Sequence, residues 1–374
     1  MIKIASILTT FTVLASSLVA QTNYSTQWLV STNAVEYNSL YSSSPTATGV
    51  TGLAARKALP ATATHPAVLD GPFWAVNRGN KTVSLYNNSG SATINTGSSG
   101  PKVLSIPTNG GTPNGIWFNP THSFTIGTAP LTATAYFVAA SDDGSFWGWT
   151  PSIDTNKNLP IVVTGVPTGA GYSGITGSQR TIAWTLGTST IFQDRDFLFV
   201  ADFRLNQVDE FDGKFHYVTS WDTPNDLKLL GLSVYNVYAI SGRRIVVVYA
   251  PLQPGIFSPV VGSTIGFAEV YDTDHHLITR LKSTYLNNPW GITQFHGSIL
   301  IANFENGTVD SYNDTTYAYQ GKLLNSSGTN LSVSGLWALD FKLGISGGDR
   351  LFWTAGPDHD ADGAFGSFTP VSAP

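Results

Sequence analysis

Three stretches of the chain share one pattern: an apolar run, a polar loop, and then alternating apolar and polar positions. They are FWAVNRGNKTVSLYN (73–87), FLFVADFRLNQVDEFD (197–212) and ILIANFENGTVDSYN (299–313). A short apolar run rich in β-branched and aromatic residues is typical of a strand buried on both faces, and alternation is typical of a half-buried strand. Because an Asn or Asp marks the turn that follows, each stretch predicts a β-hairpin.

A second element precedes the hairpins. NPWGIT (288–293), PNGIWF (113–118) and SGLWAL (334–339) each lead into a short apolar strand, and weaker copies are YSGIT (172–176), YNVYAI (235–240) and HPAVL (65–69). The buried strands of these six units are predicted to start near residues 73, 135, 197, 245, 299 and 351. A repeat of about 48 to 64 residues lies in the range that indicates a β-propeller.

The repeat therefore predicts an all-β fold, a six-bladed β-propeller whose blades are four-stranded sheets. A β-sandwich is the alternative, but it does not predict a sixfold repeat. Because an open ring would expose two sheet edges, we expect TQWLVST (26–32) to close the ring as the outer strand of the last blade, beside GAFGSFTP (363–370). The other interpretation of residues 26–32 is a loose N-terminal arm.

Composition narrows the function classes. Only 11% of the 374 residues are charged and the net charge is −5, which argues against nucleic acid and against an anionic membrane surface, since both require a basic face. The chain has no cysteine, which excludes thiol catalysis, cysteine–zinc sites and iron–sulfur clusters. With 42% hydrophobic and 12% aromatic residues, one large core can form without disulfides.

Residues 1–20 are typical of a secretory signal peptide, with Lys3 before an apolar run and Ala20 at a plausible cleavage site. Residues 21–374 then form a single propeller domain. Seven Asn-x-Ser/Thr sequons are expected to carry glycans in the secretory pathway or outside the cell; they are Asn23, Asn80, Asn87, Asn306, Asn313, Asn325 and Asn330.

Function is expected where the loops that lead into the innermost strands meet the hairpin loops, because both open on one face. Aligning the repeats places at the axis Ala67, Asn114, Ser173, Asn236, Trp290 and Trp337. The hairpin loops add a second ring of Asn77, Arg78, Asp142, Asp143, Asp202, Phe203, Asn303 to Glu305, Asp358 and His359. The two rings predict a funnel, with an aromatic wall opposite a polar arc, for a flat or hydrophobic small molecule that bears a few oxygens. For each residue alone, a packing or turn-capping role is the alternative.

Metal and nucleophile motifs are weak. DHDADG (358–363) resembles a calcium loop, but Thr369 stands at the position of the twelfth-residue Glu. In DTDHH (272–276) adjacent histidines would point to opposite faces of a strand, and an axial site built on Asp202 and Asn303 has few carboxylates. We therefore expect no metal. Neither a GxSxG elbow nor an HExxH motif occurs.

Four segments carry a resemblance to a known family: NPWGIT (288–293), GSILIANFENGTVDSYN (297–313), SGLWALDF (334–341) and LFWTAGPDHDADGAFGSFTP (351–370). They resemble a family of secreted six-bladed propellers of fungi and bacteria, which is distantly similar to NHL and gluconolactonase-type propellers. The resemblance covers nearly the whole chain after the signal peptide. The chain departs from the family in blade one, where HPAV stands in place of a second NPWG.

The resemblance implies an activity, since the fungal members with a role are similar to hetero-Diels–Alderases of tropolone–sesquiterpenoid pathways. Such enzymes join a tropolone-derived o-quinone methide to a humulene-type alkene, a pericyclic step that requires orientation of the partners and no cofactor. The candidate substrate-binding residues are Trp290, Trp337, Asn114, Ser173, Asn236, Asn303 and Phe203. His359, oriented by Asp358, and Asp202 are the candidate catalytic acids for loss of water.

Two other functions stay open at the level of sequence. One is a calcium-dependent, gluconolactonase-like hydrolase, and the other is a non-catalytic secreted propeller that binds carbohydrate or cell wall. We expect a monomer that acts on small-molecule substrates, a tropolone and a terpene, and has no nucleic-acid or membrane partner.

Overall fold

A computed structural model of the chain describes residues 22–31, 42–43, 50–55, 71–89, 103–107, 111–154, 156–186, 189–253, 260, 262–341, 350–357 and 363–371. The predicted signal peptide, Ala67, Asp358 and His359 lie outside these ranges. Within them, no helix is both long and apolar enough to cross a membrane.

The strands follow the chain from blade to blade. The N-terminal strands are β1 (Asn23–Ser31) and β2 (Ser42–Ser43). Blade one contains β3 (Val50–Ala55), β4 (Phe73–Asn77), β5 (Thr82–Tyr86) and β6 (Val103–Ser105). Blade two contains β7 (Pro113–Phe118), the inserted hairpin of β8 (Thr125–Thr128) and β9 (Leu131–Thr134), and then β10 (Phe137–Ser141), β11 (Phe146–Trp149) and β12 (Leu159–Ile161). Blade three contains β13 (Tyr172–Leu186), β14 (Ser189–Asp202), β15 (Gln207–Asp212) and β16 (Tyr217–Asp222), followed by the short helix α1 (Asn225–Leu229).

The last three blades repeat this order. Blade four contains β17 (Leu232–Ile240), β18 (Arg244–Pro251), β19 (Phe267–Asp272) and β20 (Leu277–Arg280). Blade five contains β21 (Pro289–Phe295), β22 (Ser298–Asn303), β23 (Val309–Asn313) and β24 (Tyr319–Lys322), followed by β25 (Leu324–Asn325). Blade six contains β26 (Leu336–Phe341), β27 (Leu351–Ala355) and β28 (Ala364–Val371).

The arrangement confirms the predicted all-β, six-bladed β-propeller. Each blade is an antiparallel meander, and the innermost strands β3, β7, β13, β17, β21 and β26 contact one another in a closed ring. The second strands β4, β10, β18, β22 and β27 start within a few residues of the predicted positions, and β14 becomes buried at Phe197. Four apolar residues in a row, buried on both faces, are therefore a sound signal for the second strand of a blade.

The N-terminal and C-terminal strands meet in blade six. β1 pairs antiparallel with β28 from Asn23 opposite Val371 to Ser31 opposite Ala364, so residues 26–31 lie in the strand next to the C-terminal one. Blade six also contacts blade one: the backbone N–H of Ala55 donates a hydrogen bond to Asp340 Oδ2 at 2.8 Å.

The core lies between neighbouring blades and is rich in aromatic rings. Trp74, Trp147, Trp337 and Trp353 are at most 1% exposed. Trp74 of blade one stacks on Phe137 of blade two with ring centroids 4.4 Å apart. Because aromatic side chains bury the largest areas, the high aromatic content fills the wedge-shaped spaces between flat sheets.

The recurrent glycine of each innermost strand allows the strands to approach closely at the axis. A Cβ on Gly52 would lie 2.5 Å from the carbonyl oxygen of Asn114, and one on Gly291 would lie 2.2 Å from that of Trp337. Both oxygens belong to the next blade, so the glycine is required by the ring rather than by its own sheet. In blade four, Asn236 occupies the equivalent place after a register irregularity.

One strand assignment from the sequence was wrong. The innermost strand of blade one is β3, which contains VTGLAA and pairs with β4 along its length, whereas HPAVL (65–69) lies outside the described residues. VTGLAA carries the same glycine–aliphatic pair as the strong repeats, but it lacks their Pro and Trp. The signal was therefore present in the sequence and was overlooked.

Candidate functional site

A cavity of about 270 Å³ lies at the propeller axis and is lined by all six innermost strands. Its lining residues are Leu53, Ala54, Gly115 to Phe118, Pro120, Ile175 to Gly177, Asn236 to Ala239, Trp290 to Ile292 and Ala338 to Asp340. Most of this lining is aliphatic or aromatic, and its few polar side chains come from different blades. Apolar walls with a small number of placed polar groups are the usual composition of a small-molecule site.

The cavity opens on the face where the innermost strands end. Trp117, Tyr238 and Ala239, from the later parts of their strands, are partly exposed. By contrast, Asn114 and Ser173, which are the second residues of their strands, are 0% exposed. The open side is therefore opposite to the face on which the sequence placed the funnel.

Aromatic rings fill the closed end of the axis. The rings of Trp290 and Trp337 meet edge to face with centroids 5.5 Å apart. Phe304 packs on Trp337 at 4.4 Å, and Tyr235 approaches the same ring at 6.1 Å. Trp290, Trp337 and Phe304 are all among the residues that the sequence predicted for the funnel. They form a plug together with Tyr235, which the sequence analysis missed.

The polar groups of the cavity differ in the number and length of their hydrogen bonds within the protein. Asn236 Nδ2 donates to the carbonyl oxygen of Trp290 at 2.8 Å, and its Oδ1 accepts from the N–H of Val237. Thr176 Oγ1 accepts from the N–H of Ala239 at 3.0 Å. By contrast, the Tyr238 hydroxyl makes a single long contact of 3.4 Å with Thr293 Oγ1. Of these three groups, the Tyr238 hydroxyl is the least engaged in bonds within the protein, so it is the one that we expect to bond a ligand oxygen.

Of the predicted substrate-binding residues, Asn236 and Trp290 line the cavity. Asn114 and Ser173 are 0% exposed at the strand beginnings. Asn114 Nδ2 donates to the carbonyl of Tyr172 at 2.8 Å, and Ser173 Oγ donates to that of Ala201 at 3.2 Å. The Asn114 bond joins blades two and three, and the Ser173 bond joins two strands of blade three.

Asn303 and Phe203, which were predicted from the hairpin loops, are not among the residues that line the cavity. Asn303 is 0% exposed, and its Nδ2 donates to Asp310 Oδ2 at 2.7 Å within blade five. Phe203 is 5% exposed and packs in the same core cluster as Tyr235. His359, the predicted acid, falls outside the described ranges.

Asp202, the second predicted acid, is buried in the turn after β14. Its Oδ1 accepts from the backbone N–H groups of Gly171, Arg204 and Leu205 at 3.0 to 3.1 Å, while its Oδ2 has no hydrogen-bond partner among the described residues. Burial raises the pKa of this carboxyl above its ordinary value. Asp202 therefore caps a turn, and its role as a catalytic acid stays a prediction.

A second carboxylate lies close to Asp202. Asp209 Oδ2 accepts from the Tyr172 hydroxyl at 2.9 Å, and its Oδ1 accepts from Gln207 Nε2 at 2.7 Å. Burial, with the charge of Asp202, raises the pKa of Asp209 to about 7. Burial also raises the pKa of the Tyr172 hydroxyl above its ordinary value.

Asp209→Asn is expected to weaken the pH dependence of stability. The folded-state pKa of about 7 exceeds the ordinary 3.8, so the folded protein holds this proton more tightly than the unfolded chain. The resulting stabilisation is fully present below about pH 4 and is lost as the pH rises through about 7. Urea unfolding at about pH 5 and about pH 8 should show a smaller fall in unfolding free energy for Asp209→Asn than for the native chain. The exposed Asp222→Asn is the control, and an unchanged fall in Asp209→Asn would contradict the assignment.

The described residues contain no group of three or more His, Asp or Glu side chains that could hold a metal ion. In the DTDHH segment, His275 Nε2 lies 2.7 Å from Glu210 Oε2, and His276 Nδ1 lies 3.0 Å from Asp272 Oδ2. The two histidines have different partners. His275 also stacks on Trp221 with ring centroids 4.2 Å apart.

A positional rule connects one set of cavity residues that sequence reasoning missed, one from each blade. Each member of this set lies two places after the recurrent glycine or the residue that replaces it: Ala54, Trp117, Thr176, Tyr238 and Asp340 line the cavity, and Thr293 bonds Tyr238. Alternate residues of a strand share a face, so the offset of two could have located these side chains once the glycine was placed at the ring contact.

Comparison with known proteins adds little beyond the fold. No protein-family model matches the chain. An uncharacterized protein of Acanthamoeba polyphaga mimivirus is 24% identical over 320 residues, which span 80% of this chain and 73% of the viral protein. A streptogramin B lyase structure is 10% identical with a TM-score of 0.47, over 87% of this chain and 95% of that chain. A Xanthomonas campestris gluconolactonase is 11% identical with a TM-score of 0.37, over 69% and 86%. Similarity of this degree assigns no function, and the propeller rests on its own strand order.

Proposed function

We propose that the protein is an enzyme that binds a small, flat, largely apolar molecule bearing oxygen in the axial cavity, and that it acts there as a hetero-Diels–Alderase. The observation that carries the proposal is the cavity itself. Six strands supply apolar walls, with Trp117 and Trp290 among the lining residues, and Tyr238 offers a weakly committed hydroxyl. A pericyclic reaction requires this kind of site, because holding two partners in the reactive orientation alone lowers the barrier by several kcal/mol.

The size of the cavity supports one arrangement of the two proposed substrates. A volume of about 270 Å³ lies just below the usual range for small-molecule sites, about 300 to 1,000 Å³, so the smaller substrate, the tropolone-derived o-quinone methide, would occupy the cavity. The larger humulene-type alkene would then lie at the mouth, against the partly exposed Trp117. A hydrogen bond from Tyr238 to the quinone-methide carbonyl would withdraw electron density from the diene and favour addition of the alkene.

Incubation of the purified protein with a tropolone quinone-methide precursor and humulene alcohol tests the proposal by mass analysis of adducts. The expected result is faster adduct formation and an isomer ratio that differs from that in buffer with heat-denatured protein. Rate and ratio equal to the control would contradict it. Lactone hydrolysis that is lost on chelation would instead indicate the hydrolase, and saturable binding to wall polysaccharide without turnover would indicate the binding protein.

A further inference from the structure

Blade three carries a two-stranded ribbon that extends beyond the propeller. β13 and β14 remain paired from Gly174 opposite Ala201 to Leu186 opposite Ser189, without a bulge over this length. The neighbouring strand β15 pairs with β14 only from Phe197 to Asp202. Residues 189–196 therefore have a backbone edge with no sheet partner in the described part of the chain, and residues 189–195 are all exposed.

This edge lacks the features that protect other edges of the molecule. The outermost strands β6, β12, β16, β20 and β24 are three to six residues long. Register irregularities interrupt the ladders to β16, β20 and β24. Short strands and bulges are the usual means of preventing edge-to-edge pairing. The ribbon edge formed by residues 189–196 is longer than these strands, regular and free of proline, so it is suited to accept another strand.

The ribbon is also apolar on both faces and electrically balanced. Phe192 is 70% exposed, and Trp184 and Ile191 are each 52% exposed. Between residues 180 and 196, Arg180 and Arg195 offset Asp194 and Asp196. Two copies of a chain with net charge −5 repel each other, and a contact through this neutral segment adds no local repulsion.

The base of the ribbon is held firmly. Arg180 forms a two-point ion pair with the fully buried Glu210, with Nη2 2.7 Å from Oε1 and Nη1 2.9 Å from Oε2. Arg243 of blade four bonds both strands, at Thr181 and Asp194. These bonds fix the base of the ribbon on the propeller, and such restraint reduces the entropy lost when a partner binds.

The sequons lie in the half of the propeller that does not contain the ribbon. All seven lie in residues 23–87 and 306–330, which belong to blades one, five and six and their connections. Within the described ranges, the highly exposed large apolar residues lie between Leu131 and Tyr285, from blade two to just before blade five. Glycans at the sequons would leave the ribbon uncovered.

We infer that the ribbon edge formed by residues 189–196 is the interface of a symmetric dimer, in which it pairs with the same edge of a second copy of this chain. An edge that meets its own copy across a twofold axis pairs antiparallel, and Phe192 then lies near the centre of the ladder. This inference differs from the monomer expected from the sequence, and it is independent of the activity proposed for the cavity.

Sedimentation velocity of the full chain from about 1 to about 100 µM tests the inference with two variants. The native chain should show a concentration-dependent dimer. Phe192→Lys, which sets like charges against each other at the twofold axis, should raise the dimer dissociation constant at least about 10-fold. Leu229→Lys is the matched control, because Leu229 is 88% exposed on α1 and outside the ribbon, and it should dimerise as the native chain does.

Two results would overturn the inference: a native chain that stays monomeric throughout, or a dimer whose dissociation constant is the same in Phe192→Lys. Hydrogen exchange of the amides of residues 189–196 gives a second measure. These amides should be protected at high protein concentration and exchange freely at low concentration. Because both substituted side chains are exposed, unchanged circular dichroism should show that both variants are folded.

Discussion

Replacing Gly291 with alanine is expected to lower the free energy of unfolding by about 3 kcal/mol or more. The added Cβ would lie 2.2 Å from the carbonyl oxygen of Trp337, 3.0 Å from the Ala302 Cβ and 3.2 Å from the Ala338 Cα. Two of these atoms belong to the backbone of blade six, so blades five and six must move apart. The ring of six innermost strands leaves no direction in which such a shift is free, and urea denaturation should show the loss as a lower midpoint.

Gly231→Ala is the matched control for this substitution. Gly231 has a φ of +73° and no heavy atom within 4 Å of an added Cβ. Alanine there should cost only the strain of a left-handed backbone, about 1 kcal/mol. If Gly291→Ala destabilised the protein no more than Gly231→Ala, the close approach at the axis would not be the reason for glycine in the repeat.

The hairpins and the sixfold order could be predicted because they depend on local patterns. The second strand of each blade lies between two other strands of its sheet and is buried on both faces. Its sequence is therefore a continuous apolar run, such as residues 299–302. Turns with Asn or Asp follow directly in the chain. Both signals are local, because the backbone hydrogen bonds of each blade are formed within its own sheet.

The position of the cavity was harder to predict, because it depends on which end of the propeller axis is occupied by side chains. Trp290 and Trp337 have the size of residues that stack on ligands, yet they pack on each other at one end of the axis. Tyr235 and Phe304 pack against the Trp337 ring at the same end. A single repeat does not reveal how much of the axial space its neighbours occupy. Asn114 likewise has the composition of a ligand contact, but it bonds the backbone of blade three.

Tyr238→Phe is expected to reduce the rate of adduct formation about 100-fold, the effect of removing one hydrogen-bond donor from a developing negative charge. The substitution leaves the ring and the cavity shape in place. The hydroxyl makes only the 3.4 Å contact with Thr293 Oγ1, so the free energy of unfolding should change by less than about 1 kcal/mol. A fall in kcat with little change in KM would show that the hydroxyl acts mainly in the transition state.

Tyr285→Phe controls for the loss of a tyrosine hydroxyl elsewhere, because Tyr285 is 38% exposed and stacks on Tyr319 away from the cavity. It should leave both the rate and the isomer ratio unchanged. Equal rates in Tyr238→Phe and the native chain would exclude the hydroxyl as the polarising donor while leaving the apolar cavity as the binding site. Orientation by the walls, to which Trp117 and Trp290 contribute, would then have to supply the rate enhancement, and the isomer ratio would depend on those two residues rather than on Tyr238.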